Sequence, residues 1–167
     1  MQKIYNKPES NPRLTIDLDA LHKNARHLIG MTGGGLIAVV KNDAYHFGLE
    51  RAVETFYQAG VRFFATTSLR DSIRIRDLYD DVDIFMLNPC RDFDSLRDYS
   101  ITATLASLDF LRENKDSMHD ISYHLEWAGQ MRRSGCRSKK RSIRNNKTGQ
   151  RIKHKIRRYM DPLFLGR

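Results

Sequence analysis

The 167 residues are 40% hydrophobic, enough to bury the core of one domain, and no apolar run approaches the roughly 18 residues that span a bilayer. Cys90 and Cys136 stand far apart, which excludes a zinc ribbon or a disulfide framework, and the start Met-Gln-Lys-Ile-Tyr-Asn-Lys-Pro has no signal-peptide core, so a cytoplasmic chain with reduced thiols is expected. The net charge of +9 is uneven: from Arg137 to Arg167 there are 12 Lys and Arg against the single acid Asp161, while the preceding residues are near neutral.

After a polar leader containing Pro8 and Pro12, Leu14-Thr-Ile-Asp-Leu18 alternates like a strand, and Asp19 is positioned to cap a helix running to about Ile29. Leu18, Leu21, Ala25, Leu28 and Ile29 recur near helical spacing and would form its buried stripe. Met31-Thr-Gly-Gly-Gly35 then breaks the chain. These glycines precede a strand and no Gly-Lys-Ser/Thr follows them, so they read as a turn and not as a phosphate loop.

Residues 36–40, Leu-Ile-Ala-Val-Val, form a continuously apolar run of the kind expected of a parallel strand buried on both faces. It delivers Lys41 to its end. Ligands of parallel α/β folds gather at the carboxyl ends of strands, where a lysine amine can act as a Schiff-base nucleophile. Strand and helix then alternate with short connections: helix 49–59, strand 61–67, a helix over 69–79 capped by Ser68, and strand 83–87 ended by Asn88-Pro89. A short helix over 92–99, strand 101–105, a helix over 108–114 capped by Ser107, and strand 121–127 complete the series. This alternation predicts a parallel sheet with right-handed crossovers, as an open sheet or a barrel segment, since complete α/β barrels run to roughly 250 residues. From Lys139 onward too few apolar residues remain to offset the entropy of ordering the chain, so residues 1–138 read as the folded part and 139–167 as an irregular basic tail.

Three separated stretches carry a family resemblance. Val-Val-Lys41-Asn-Asp-Ala-Tyr45 with Gly48 resembles the pyridoxal-phosphate lysine motif of alanine racemases, Val-Val-Lys-Ala-(Asp or Asn)-Ala-Tyr-Gly-His-Gly. Thr15-Ile-Asp-Leu-Asp-Ala-Leu-His-Lys-Asn24 is similar to the family opening, and His124-Leu-Glu-Trp-Ala-Gly-Gln-Met-Arg-Arg-Ser-Gly135 resembles the family's His-Leu-Lys-Ile-Asp-Thr-Gly-Met-x-Arg-Leu-Gly. Over about residues 13–138 the chain thus looks like the amino-terminal part of a pyridoxal-phosphate-binding (β/α) TIM-like barrel, holding about its first five β-strands.

The resemblance implies that Lys41 forms the aldimine with pyridoxal 5'-phosphate and, once the substrate amine displaces it, exchanges a proton at the α-carbon, interconverting L-alanine and D-alanine. Tyr45 would reach the cofactor phosphate. Arg133 would contact the phenolic oxygen of the ring and place the substrate carboxylate, a task suited to a forked, permanently charged guanidinium. Four departures stand out. His46 and Phe47 replace the family's Gly and His, Ala128 replaces an Asp, and Glu126 replaces a lysine that is often carbamylated, so Glu126 is expected to supply the negative partner of Arg133 directly. The family's opposing tyrosine base, which comes from the partner subunit of a homodimer, and its later phosphate-binding strands have no counterpart here, which predicts a truncated form of doubtful activity alone. A partial barrel with an unpartnered last strand is also expected to associate. The abrupt change after Gly135 fits an altered reading frame, and the alternative function is a non-catalytic α/β scaffold whose basic tail binds nucleic acid through phosphate contacts. The six histidines show no paired spacing for a metal, and Leu87-Asn-Pro-Cys90 reads as a turn beside the presumed site.

Overall fold

The computed structural model describes residues 14–126, Ala128, Gly135 and the pair Ile156–Arg157. Helix α1 (Leu18–Thr32) begins where the side chain of Asp17 accepts a hydrogen bond from the Ala20 N–H at 2.9 Å. Residues 14–17 are not a strand, and the cap is Asp17 and not Asp19. Asp17 has the extended backbone that a cap requires, whereas Asp19 already lies in the first turn, where its charge complements the helix dipole. The glycine turn ends α1 as expected. Gly33 sits at φ 62° and returns its N–H to the Ile29 carbonyl.

Five strands follow in chain order, all parallel: β1 (Ala38–Val39), β2 (Phe63–Thr66), β3 (Asp83–Met86), β4 (Ala103–Leu105) and β5 (Tyr123–Leu125). Between them come a short turn of helix, α2 (Lys41–His46), and the helices α3 (Leu49–Ala59), α4 (Leu69–Leu78), α5 (Phe93–Asp98) and α6 (Leu108–Asn114). Ser68, Asp92 and Ser107 cap α4, α5 and α6 by accepting from the N–H three residues on. A bridge between Phe85 and Thr102 joins β3 to β4, so the strands run 1-2-3-4-5 without reversal. A doubly wound sheet reverses its order at a switch point. A sequential order under right-handed crossovers puts every helix on one face, which is how a barrel is built.

The register identifies that face. Ala38, Phe64 and Ile84 stand side by side, as do Ala103 and Tyr123, and these residues share one apolar cluster with Leu49, Val53, Ile75, Leu96 and Phe110 from the helices. The opposite, inner face carries Val39, Ala65, Phe85 and Thr102 in one row and Thr104 with His124 in the next. Val39 is 40% exposed there, so the inner face is open at β1. Exposed Glu50 on α3 pairs with Arg74 on α4, and this hydrogen bond holds the Glu50 carboxyl below the usual range.

The edge of β5 differs from expectation. Ile156–Arg157 forms a two-residue strand, β6, parallel to it, with Tyr123 opposite Ile156 and His124 opposite Arg157. An open strand edge offers unpaired backbone groups, and two residues of extended chain suffice to take some of them up. The rest of the segment 139–167, expected to be irregular, lies outside the described residues. No described helix is long and apolar enough to cross a membrane.

Candidate active site at the carboxyl ends of the strands

Val40 donates its N–H to the Ala65 carbonyl at 2.8 Å, so the ladder of β1 continues one residue past the strand and ends at Lys41. The next strand ends are arranged alike. Leu87 donates to the Thr66 carbonyl at 2.8 Å, Glu126 donates to the Leu105 carbonyl at 3.1 Å, and the Asn88 side chain donates to the Thr67 carbonyl at 3.2 Å. Lys41, Asn88 and Glu126 therefore stand along one rim. Leu87-Asn-Pro-Cys90 is a bend fastened to that rim, in keeping with its reading as a turn.

Directly after the strand the backbone winds left-handed. Residues 42–45 hold φ between 51° and 56° with ψ between 40° and 55°, and His46 follows at φ 69°. None of the five is glycine. Left-handed winding costs L-residues about 1–2 kcal/mol each, so this turn is among the most strained stretches of the described chain. The sequence meets the strain partly through composition, because Asn, Asp and His tolerate positive φ better than most residues. Hydrogen bonds meet more of it: Ala44 donates to the Val40 carbonyl at 3.1 Å, Gly48 donates to the Asp43 carbonyl at 3.1 Å, and Leu49 donates to the Asp43 carboxylate at 2.7 Å.

The turn brings Lys41 and Tyr45 together. Residues four apart on a helical turn share a side, and the Lys41 ammonium lies 5.9 Å from the centroid of the Tyr45 ring, at the outer limit of a cation–π contact. Lys41 is half-buried, while Tyr45 and Phe47 are 53% and 38% exposed. The two side chains predicted to act together are thus adjacent at the mouth of the inner face. His46 and Phe47 follow directly on this left-handed turn, with His46 itself at positive φ where the family motif has Gly.

Below the rim the inner face is aromatic. His124, 5% exposed, stacks on Phe85 at 4.4 Å, and Phe63 approaches it edge-on at 6.1 Å. Such packing makes His124 a strand residue among its neighbours, and no described group of histidine, cysteine and carboxylate residues could hold a metal. Thr104 donates from its hydroxyl to the Met86 carbonyl at 2.8 Å and so ties β4 to β3 under the site.

Arg133 lies outside the described residues, so its expected partnership with Glu126 does too. Glu126 is half-buried at the end of β5. Gly135 returns to the same place: a Cβ there would stand 2.8 Å from both the Glu126 carbonyl oxygen and the Ala128 nitrogen, and its φ is 100°. Sequence reasoning missed the hydrogen bond from Leu49 to Asp43, which spans six residues and belongs to no standard capping pattern; the run Asn42-Asp43 was the available signal. A cleft of about 600 Å³ at the other ends of the strands is a different matter. It is lined by Arg62, Arg76 and several aspartates, and the Arg76 guanidinium there is engaged by the carbonyls of Asp80, Val82 and Tyr99 as a structural clasp.

Known proteins resemble this chain in sequence and in fold. Residues 16–154 match the family described as alanine racemase, N-terminal domain. Alanine racemase 2 of Staphylococcus aureus is 46% identical over 100 residues, which is 60% of this chain and 28% of the relative. An alanine racemase of Ruegeria sp. is 30% identical over 129 residues, 75% of this chain and 37% of the relative. Among solved structures, alanine racemase from Oenococcus oeni superposes with a TM-score of 0.63 at 28% identity, covering 75% of this chain and 38% of that one. The E. faecalis enzyme superposes at 0.70 with 21% identity, covering 77% and 37%, and supports the fold alone. The matched stretch spans roughly a quarter to two-fifths of each of these relatives.

Proposed function

Because the chain belongs to the alanine racemase N-terminal domain family, we propose that its strand-end site holds pyridoxal 5'-phosphate on Lys41 and serves the interconversion of L-alanine and D-alanine. The observation that carries this reading is the placement of Lys41 and Tyr45 on one turn at the carboxyl end of β1, 5.9 Å from amine to ring centroid. The donor set fits the cofactor. Its aldehyde requires a primary amine, and its phosphate requires hydrogen-bond donors; Lys41 and the Tyr45 hydroxyl offer both from one side of the turn. When bound, pyridoxal phosphate supplies an electron sink for the α-carbon.

The remaining work belongs to the chain. Lys41 removes or returns a proton at the alanine α-carbon on the face it occupies. Tyr45 orients the phosphate end through its hydroxyl. Arg133 is proposed to bind the substrate carboxylate with Glu126 as its negative partner, a pairing supported by the return of Gly135, two residues on from Arg133, to the Glu126 backbone. A racemase also needs an acid/base group on the opposite face, which the family takes from its carboxyl-terminal domain across a dimer, so turnover is proposed for an assembly that brings such a group to Lys41.

Titration with pyridoxal phosphate tests the reading. A visible absorbance band should grow with the parent chain and be absent with Lys41→Ala. Tyr45→Phe should keep the band but weaken binding about tenfold, the effect of losing one hydrogen bond to a charged group. A band of equal strength in Lys41→Ala would remove the proposal.

A further inference from the structure

The strained turn after Lys41 needs something outside itself to hold it. Its backbone bonds, from Ala44 to Val40, from Phe47 to Ala44 and from Gly48 to Asp43, all close within the turn or at the end of β1. The bond that reaches a long helix is the one from the Leu49 N–H to the Asp43 carboxylate at 2.7 Å. Leu49 opens α3 and is fully buried, and the N-cap of that helix, Gly48, has no side chain to satisfy its first N–H groups. Asp43 therefore does from six residues upstream what a capping side chain does locally, and its charge lies at the positive end of an 11-residue helix. Helix α3 is itself fixed in the core through Leu49, Ala52 and Val53.

We infer that Asp43 is the positioning residue of this site: its carboxylate fastens the left-handed turn to the amino end of α3 and thereby sets where the Lys41 amine and the Tyr45 hydroxyl stand. The ligand in this inference rests on the proposed function; the latch rests on the turn and the helix alone. The role assigned to Asp43 requires no contact with substrate or cofactor. It acts through the backbone that carries both side chains.

Three variants of the full chain separate this role from general stability. Asp43→Ala removes the acceptor and Asp43→Asn keeps one. Asp92→Ala removes a similar cap, the 3.1 Å bond from the Ser95 N–H, from a helix without Lys41 or Tyr45. Amide hydrogen exchange at Leu49 in the free chain and pyridoxal-phosphate affinity by absorbance titration are the two readings. Asp43→Ala should speed exchange and weaken affinity about tenfold or more, while Asp43→Asn and Asp92→Ala stay within about threefold of the parent in both readings. Unchanged exchange in Asp43→Ala, or an equal loss of affinity in Asp92→Ala, would overturn the inference. If the parent binds no pyridoxal phosphate the proposed function fails, and the exchange rates alone decide the latch. Should Asp43→Ala not fold, Asp43→Ser, whose hydroxyl is too short to span to Leu49, takes its place with the same expectations.

Discussion

The chemistry proposed for Lys41 depends on residues whose own side chains are unremarkable, and His46 shows the cost. It holds φ 69° at a position where the family motif has Gly, and it is exposed, so it has little packing to compensate. His46→Gly should relieve about 1–2 kcal/mol of left-handed strain and lose about 0.5–1 kcal/mol to the greater freedom of glycine in the unfolded chain. A net gain of up to about 1.5 kcal/mol is therefore expected, read as a higher urea midpoint; a lower midpoint would show that the turn is not strained there. Tyr123 offers a pH test. Burial in the helix-facing core pushes its phenol up to about 12 from the ordinary value of 10.0, with the Arg97 charge acting weakly the other way. The neutral phenol is the form the fold favours. Its contribution is complete below about pH 10 and is lost as the pH rises from about 10 to about 12, which should lower stability by on the order of 2–3 kcal/mol across that window. Stability measured in urea at stepped alkaline pH should fall there more steeply in the parent than in Tyr123→Phe. At this scale the adjacency of Lys41 and Tyr45 was legible because a motif fixes their spacing, whereas the bond to Asp43 was not, because its partner is a backbone N–H that only the folded turn brings near.

Among the elements, the helices were easier to read than the strands. Ser68 and Ser107 announced α4 and α6, and both cap as expected, because a hydroxyl preceding a periodic run is a local signal. The alternation of residues 14–18 misled, since period-two hydrophobicity over five residues also fits a capped helix start preceded by extended chain. The strand 36–40 shrank to Ala38–Val39 plus one further ladder bond, because parallel strands are defined by partners that sequence does not display. The left-handed α2 had no periodic signature at all. Gly135 belongs to this scale as well. At φ 100° and with backbone atoms 2.8 Å from any added Cβ, Gly135→Ala has no flexible neighbour to displace. It should destabilise the connection after β5 by about 1–3 kcal/mol, seen as faster amide exchange at Glu126. Exchange at the parental rate would show that the close approach is not maintained in solution.

Across the whole molecule the sequential strand order separates two surfaces with different fates. The helix-facing side is a closed apolar core, and its parallel β–α alternation was legible from residue 49 to residue 125. The inner side is open at Val39, and β1 is an edge strand among the described residues. Barrels leave no such edge, and an aromatic inner face with an open side invites a second surface. Sedimentation of the isolated chain should accordingly show association that grows with concentration, and a monodisperse monomer at high concentration would contradict this. The proposed cofactor site, however, turns on one amine, that of Lys41. Borohydride reduction in the presence of pyridoxal phosphate, followed by peptide mass mapping, reads it directly across every lysine of the chain. Predominant labelling of Lys41, retained at cofactor concentrations too low to label the lysines of the basic tail, is the predicted result; labelling spread evenly over the lysines, with Lys41 no different from the rest, would contradict it.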